Sequence, residues 1–145
     1  MALPCLVVTV LAFGIIAGEL LEFEPLLVER PRNAAEAAVR VDAADVRRFE
    51  ILGMDPNRLY EIRSGYSDDH VLAATPMEAA VLSRQVYLFR VVERAAPQLD
   101  PDTRRHLACL AQDVRASDIV EHLAESGTPP LCEDGTTIAM LRKRK

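Results

Sequence analysis

His106 and Cys109 stand three residues apart, so on a helix they share one face. That arrangement suits a thiol nucleophile beside its base, or half of a metal site. A catalytic pair also needs a third group to orient the imidazole, and none stands at a fixed short spacing here. His122 lies in the following segment, and three such groups without paired spacing make a poor zinc signature. Cys109 therefore reads as a small buried hydrophobe. Asp68, Asp69 and His70 have the residue types of acid–base or metal chemistry, but polar loop tips contain them routinely. The closing run Arg142-Lys143-Arg144-Lys145 could touch anionic lipid or nucleic acid, and reads first as a solvated helix end whose cations complement the helix dipole. The sequence has no glycine-rich phosphate loop, nucleophile elbow or paired metal motif. These residues point to no enzyme, no metal and no cofactor.

The elements that position them are helical in character. The chain of 145 residues is half hydrophobic, rich in Ala, Leu and Val, and has no Trp, a mixture that favours close-packed helices in one domain. Nine Pro and six Gly punctuate the apolar segments without forming a low-complexity run. A net charge of −5 argues against a nucleic-acid binder, which needs a basic face to displace counterions, and leaves protein as the expected partner. Cys5, Cys109 and Cys132 are an odd set with no short paired spacing, so neither a disulfide framework nor a zinc knuckle is expected.

Residues 2–18 carry no charged side chain, and Leu6–Ala17 is as apolar as a membrane-spanning helix at the short end of the usual length. We read residues 1–21 as a membrane anchor and 22–31 as a linker. A cleaved signal peptide and an apolar helix packed on the domain are the alternatives. The anchor leads because no Lys or Arg precedes the run and the small-residue cleavage pattern around Ala17-Gly18 is poor. Cys5 precedes the apolar run and so does not stand where a lipidated cysteine would. Arg30 and Arg32 lean towards a cytosolic C-terminal domain, while the likeness to an export signal leans the other way.

After Pro31 come short helical patterns separated by turn signals such as Gly53-Met54-Asp55-Pro56-Asn57 and Gly127-Thr128-Pro129-Pro130. Asp42–Asn57 resembles the second helix and closing turn of an ankyrin repeat, most specifically in its Gly-x-Asp-Pro-Asn ending. Thr75-Pro76-Met77-Glu78-Ala79-Ala80 is similar to the Thr-Pro-Leu-His-x-Ala opening of that family. Asp118–Gly127 resembles another second helix, and Asp134–Leu141 another opening. In one register the openings fall at Arg32, Thr75, His106 and Thr137, spaced 43, 31 and 31 residues apart. The family period is about 33 residues, so the first unit is over-long, and its excess lies between Leu59 and Ala74 as an extended, exposed hairpin loop.

Short amphipathic helix pairs cannot bury an apolar stripe alone and must stack. Val46, Phe49 and Leu52 supply the stripe first, then Leu88, Phe89, Val91 and Val92, then Ile119, Val120 and Leu123. Ala37, Ala38, Ala79, Ala80 and Ala111 allow close approach of the paired helices. The glycine usual between the two helices is replaced by Val41, Arg84 and Arg115. The fourth unit stops after its first helix and leaves Ile138 and Leu141 without a following helix to cover them.

The expected fold is therefore all-α: an ankyrin-type helix-turn-helix stack of about three repeats plus a half repeat over 32–145, behind an N-terminal apolar helix. The resemblance implies recognition of a protein partner by hairpin tips and first-helix surfaces. Carried over by register, the first-helix contact positions are Val39, Arg40, Leu82, Ser83, Asp113 and Val114. The tips are Asp55 and Asn57 with the long loop containing Tyr60 and Tyr66, then Gln98 to Asp102, then Leu131 to Asp134. The expected function is a membrane-tethered scaffold or inhibitor of a protein partner. The alternative is a structural accessory subunit of a membrane assembly, using Leu6–Ala17 as a packing surface.

Overall fold

The computed structural model describes residues 29–67, 70–96, 99–124, 132 and 135–144. The expected N-terminal helix and linker lie outside them apart from the last linker residues. So do Asp68, Asp69, Gln98, Leu131, Glu133 and Asp134. Among the described residues no helix is long and apolar enough to cross a membrane. The elements belong to one unit, Pro31–Lys145.

Side-chain caps start most of the helices. Asn33 accepts from the Glu36 amide and opens α1 (Ala34–Val39), and Asp42 accepts from Ala44 and Asp45 to open α2 (Ala43–Ile51). Two short antiparallel strands follow, β1 (Tyr60–Glu61) and β2 (Ala73–Ala74), with Tyr60 opposite Ala74 and Glu61 opposite Ala73. Thr75 and Glu78 then form a reciprocal capping box with Pro76 in the first turn, which starts α3 (Pro76–Leu82). α4 (Val86–Ala95) completes the second helix pair. Asp100 and Pro101 open α5 (Pro101–Asp113), α6 (Ser117–Ala124) follows it, and α7 (Thr136–Lys143) closes the described chain. The described residues are mostly helical, as expected, with one small hairpin among them.

The three junctions within the pairs share one backbone form. Val41, Arg84 and Arg115 have φ of 63°, 59° and 58°, left-handed values that cost an L-residue energy and favour glycine. In the first junction the Asp42 amide donates to Ala37 at 2.9 Å and the Val41 amide to Ala38 at 3.0 Å; in the third, Ala116 donates to Ala111 at 2.8 Å and Arg115 to Gln112 at 3.0 Å. The second substitutes a side chain for the longer bond. Ser83 Oγ donates to the Ala80 carbonyl at 2.6 Å and accepts from the Gln85 amide at 3.3 Å.

Packing runs in two rows. α1 lies against α3 and α3 against α5, while α2 lies against α4 and α4 against α6. Ala37, Ala38, Ala79, Ala80 and Ala111 are fully buried where the first row meets its neighbours, so backbones approach without bulky side chains between them. Leu88, Phe89, Val91, Val92, Ile119 and Leu123 are buried as expected, as is Val46, whereas Phe49 and Val120 are half-buried. Leu52 departs from its expected place and is 69% exposed, because it caps α2 just before the left-handed Gly53 and turns out of the stripe.

Three further expectations are corrected. The first helix of the third pair begins at Pro101 and not at His106, because Asp100 and Pro101 are strong start signals and His106-Leu107 is not one. The Leu59–Ala74 insertion is not simply exposed: Ile62 and Val71 are buried, and the Ile62 amide donates to Leu72 at 2.7 Å. Ile138 and Leu141 are buried without any following helix, because α7 folds back onto α5 and β2. The α7 amides of Gly135 and Ile138 meet Asp113 at the end of α5, and Arg144 meets Glu78, which in turn meets His106 two turns earlier in α5. α7 therefore runs antiparallel to α5.

Candidate functional site

Two buried glutamates organise the polar interior. Glu36, on α1, is 1% exposed. Its Oε1 accepts from the Arg63 amide at 3.1 Å and Arg63 Nε at 2.9 Å, and its Oε2 from the Arg32 amide and Arg63 Nη2, each at 2.8 Å. Burial pushes this carboxyl up, but the Arg63 guanidinium and the two amides hold it below the ordinary value. The same guanidinium stacks on Tyr66 at 4.3 Å from the ring centroid, and Arg40 approaches that ring at 5.1 Å. The long hairpin is thereby fixed to α1.

Glu78 lies at the bottom of a cleft of about 500 Å³. Its position follows from the capping box: Oε2 accepts from the Thr75 amide at 2.8 Å, which turns the carboxylate back over the start of α3. His106 Nε2 from α5 lies 2.8 Å from Oε1, and Arg144 Nη1 donates to both oxygens at 2.9 and 2.8 Å. Burial again raises the carboxyl, and the bonds from His106 and Thr75 with the charge of Arg144 outweigh it, so Glu78 titrates below its ordinary value. It is an ionised acceptor suited to holding a cation, not a proton donor. Asn57, Asp100, Asp102 and Thr103 line the cleft wall. Asp100 Oδ1 caps α5 through the Asp102 and Thr103 amides and the Thr103 hydroxyl donates to Oδ2, which together hold this exposed carboxyl below its ordinary value.

The thiol–imidazole pairing considered for Cys109 is not assembled. Cys109 is joined to Cys132 in a disulfide with a Cα–Cα distance of 5.4 Å, which corrects the expectation that no such bond forms. The sulfur is thus neither a free thiol nor an isolated hydrophobe. His122 does not join His106 either: its Nε2 lies 2.8 Å from Glu93 Oε2, and its ring meets the Phe89 ring edge-on at 5.9 Å. Among the described residues no cluster of metal-ligating side chains occurs. Asp100 falls within the expected Gln98–Asp102 tip and Glu78 within the Thr75–Ala80 opening, but neither was expected at a cleft; the signal that could have found Glu78 is its place three residues after Thr75, which is capping-box spacing.

The expected contact residues divide. Arg40, Asp55 and Asn57 are exposed, and Val39, Tyr60 and Tyr66 are half-buried. Arg40 and Tyr66 come together on the hairpin side of α1, and Asn57 reaches the Glu78 cleft. Asp55 Oδ1 accepts from the Asn57 amide at 2.9 Å, and Arg58 lies over the Tyr60 ring at 5.7 Å. Leu82 and Val114 must be withdrawn, since both lie in the core, 7% and 5% exposed, where a partner does not reach them. Ser83 is committed to its junction, and Asp113 to α7, accepting from Gly135 and Ile138 at 2.7 and 3.0 Å.

No family model, no curated protein and no solved structure matches this chain.

Proposed function

We propose that the chain is a membrane-tethered protein-binding module whose helical unit is an ankyrin-type stack. The observation that carries this reading is the recurrence of one left-handed junction at Val41, Arg84 and Arg115, the three places where the resemblance puts a glycine. The two packing rows support it, because first helices meet first helices and second helices meet second helices. In such a stack the hairpin edge and first-helix row are free to differ between proteins and so to choose partners. Arg40, Asp55, Asn57, Tyr60 and Tyr66 form that edge here. Residues 2–21 supply the tether.

The Cys109–Cys132 disulfide favours a domain on the oxidising side of the membrane, since such bonds persist outside the cytosol. It outweighs the two arginines that follow the apolar segment. The test combines membrane fractionation, protease protection and affinity recovery from a detergent extract. The reading expects the chain in the membrane fraction, its C-terminal domain on the oxidising side, and one protein recovered in stoichiometric amount. Recovery of the chain alone would sink the binding role, and a soluble chain would sink the tether.

A further inference from the structure

α7 lies on α5 and β2 and reaches the start of α3 through Arg144, held by a small set of separable contacts. Its first turn is held by the Asp113 carboxylate, which accepts from the Gly135 and Ile138 amides at 2.7 and 3.0 Å. Ile138 and Leu141 supply its larger buried apolar side chains, and Arg144 ends it on both oxygens of Glu78. These positions are three apart and share one helical face, while Met140 on the other side is 57% exposed. The two groups that receive its ends, Asp113 at the end of α5 and Glu78 at the start of α3, are both carboxylates. Such a surface is built for a helix with an uncapped N-terminus, two apolar side chains and a terminal cation.

We infer that this surface of α5 and β2, with Glu78 at the start of α3, is a docking site for a short amphipathic helix of a protein partner ending in an arginine, and that α7 is its intramolecular occupant. The inference rests on the binding-module reading and not on the tether. Charge complementarity names the ligand: Glu78 is buried and ionised, Asp100 and Asp102 add exposed carboxylates to the cleft wall, and Arg144 is the one guanidinium lining it among the described residues. The cleft of about 500 Å³ beside Arg144 leaves room for the rest of the partner's basic segment. Because α7 belongs to the same chain it competes at a high effective concentration, so only a partner with more contacts replaces it. The Cys109–Cys132 bond keeps the start of α7 beside α5 and sustains that competition.

The test uses the full chain and a fluorescent peptide with the sequence of its own residues 136–145. Leu141→Asp frees α7, and this variant is expected to bind the peptide about tenfold more tightly than the unaltered chain. Adding Glu78→Gln is expected to weaken that binding by about tenfold, as is replacing the peptide's arginine corresponding to Arg144 by alanine. Equal binding by the unaltered and Leu141→Asp chains, or no effect of Glu78→Gln, overturns the inference. Should Leu141→Asp lose the circular dichroism of the whole unit, hydrogen exchange in the unaltered chain decides. The α7 amides must then exchange roughly a hundredfold faster than those of α3 and α5, and equal protection overturns the docking site. A failed peptide test beside a stoichiometric membrane partner would remove this site and leave the binding module standing.

Discussion

A buried carboxylate is costly unless every oxygen is occupied, and Glu36 and Glu78 meet that condition in different ways. Glu36 spends its lone pairs on Arg63 and two amides, whereas Glu78 divides them among Thr75, His106 and Arg144. Removing the cation is therefore worse than neutralising the acid. Arg63→Ala strands the Glu36 charge and should lower the stability by about 3 kcal/mol, while Glu36→Gln keeps one acceptor and should cost about 1–2 kcal/mol, both read by urea unfolding. Both carboxyls titrate below 4.5 in the folded chain, so the unfolded state takes up protons first as the pH falls. Their contribution is complete above about pH 5 and is lost as the pH drops through the depressed folded values. Urea midpoints measured between about pH 6 and 3 should fall, and the fall should shrink in Glu36→Gln. Only part of this was legible in the sequence. Thr75-x-x-Glu78 is a local pattern that announces its own bond, but the Glu36–Arg63 pair bridges 27 residues and depends on where the hairpin lands.

At the scale of elements, the junctions carry the account. Val41 is β-branched and has φ 63°, a position glycine adopts without a clash. Val41→Gly should stabilise the fold by about 1 kcal/mol, and Arg84→Gly and Arg115→Gly by less, in thermal unfolding of each variant. Gly53 is the converse case: its φ is +78° and open space surrounds a Cβ built there, so Gly53→Ala should destabilise by about 1 kcal/mol through torsion alone. The helices that Asp42 and Thr75 cap were readable for that reason. Two features were not. The repeat register hid the early start of α5, and it left the direction of α7 open because an opening pattern specifies a helix without specifying its direction.

Among the described residues, the unit Pro31–Lys145 is held by two rows of helices, a hairpin pinned by Arg63, and one covalent link. Cys109 and Cys132 are 23 residues apart, and closing a loop of that length stabilises a domain by about 3 kcal/mol through the unfolded state. Reduction with dithiothreitol should therefore lower the melting temperature by several degrees without abolishing helicity, about 5–15 °C for a unit of this size. An unchanged melting temperature would mean that the link contributes nothing. Sequence spacing did not disclose the bond, because the two cysteines stand 23 residues apart and meet only in the folded unit. The central claim remains that this unit binds a protein through its hairpin edge. The most direct measurement places a photoreactive residue at Asn57 or Tyr60 and, as a control, at Arg90 on α4, and illuminates native membranes. The account predicts one shared adduct from Asn57 and Tyr60 and none from Arg90; no adduct from the hairpin edge, or equal adducts from all three positions, would contradict it.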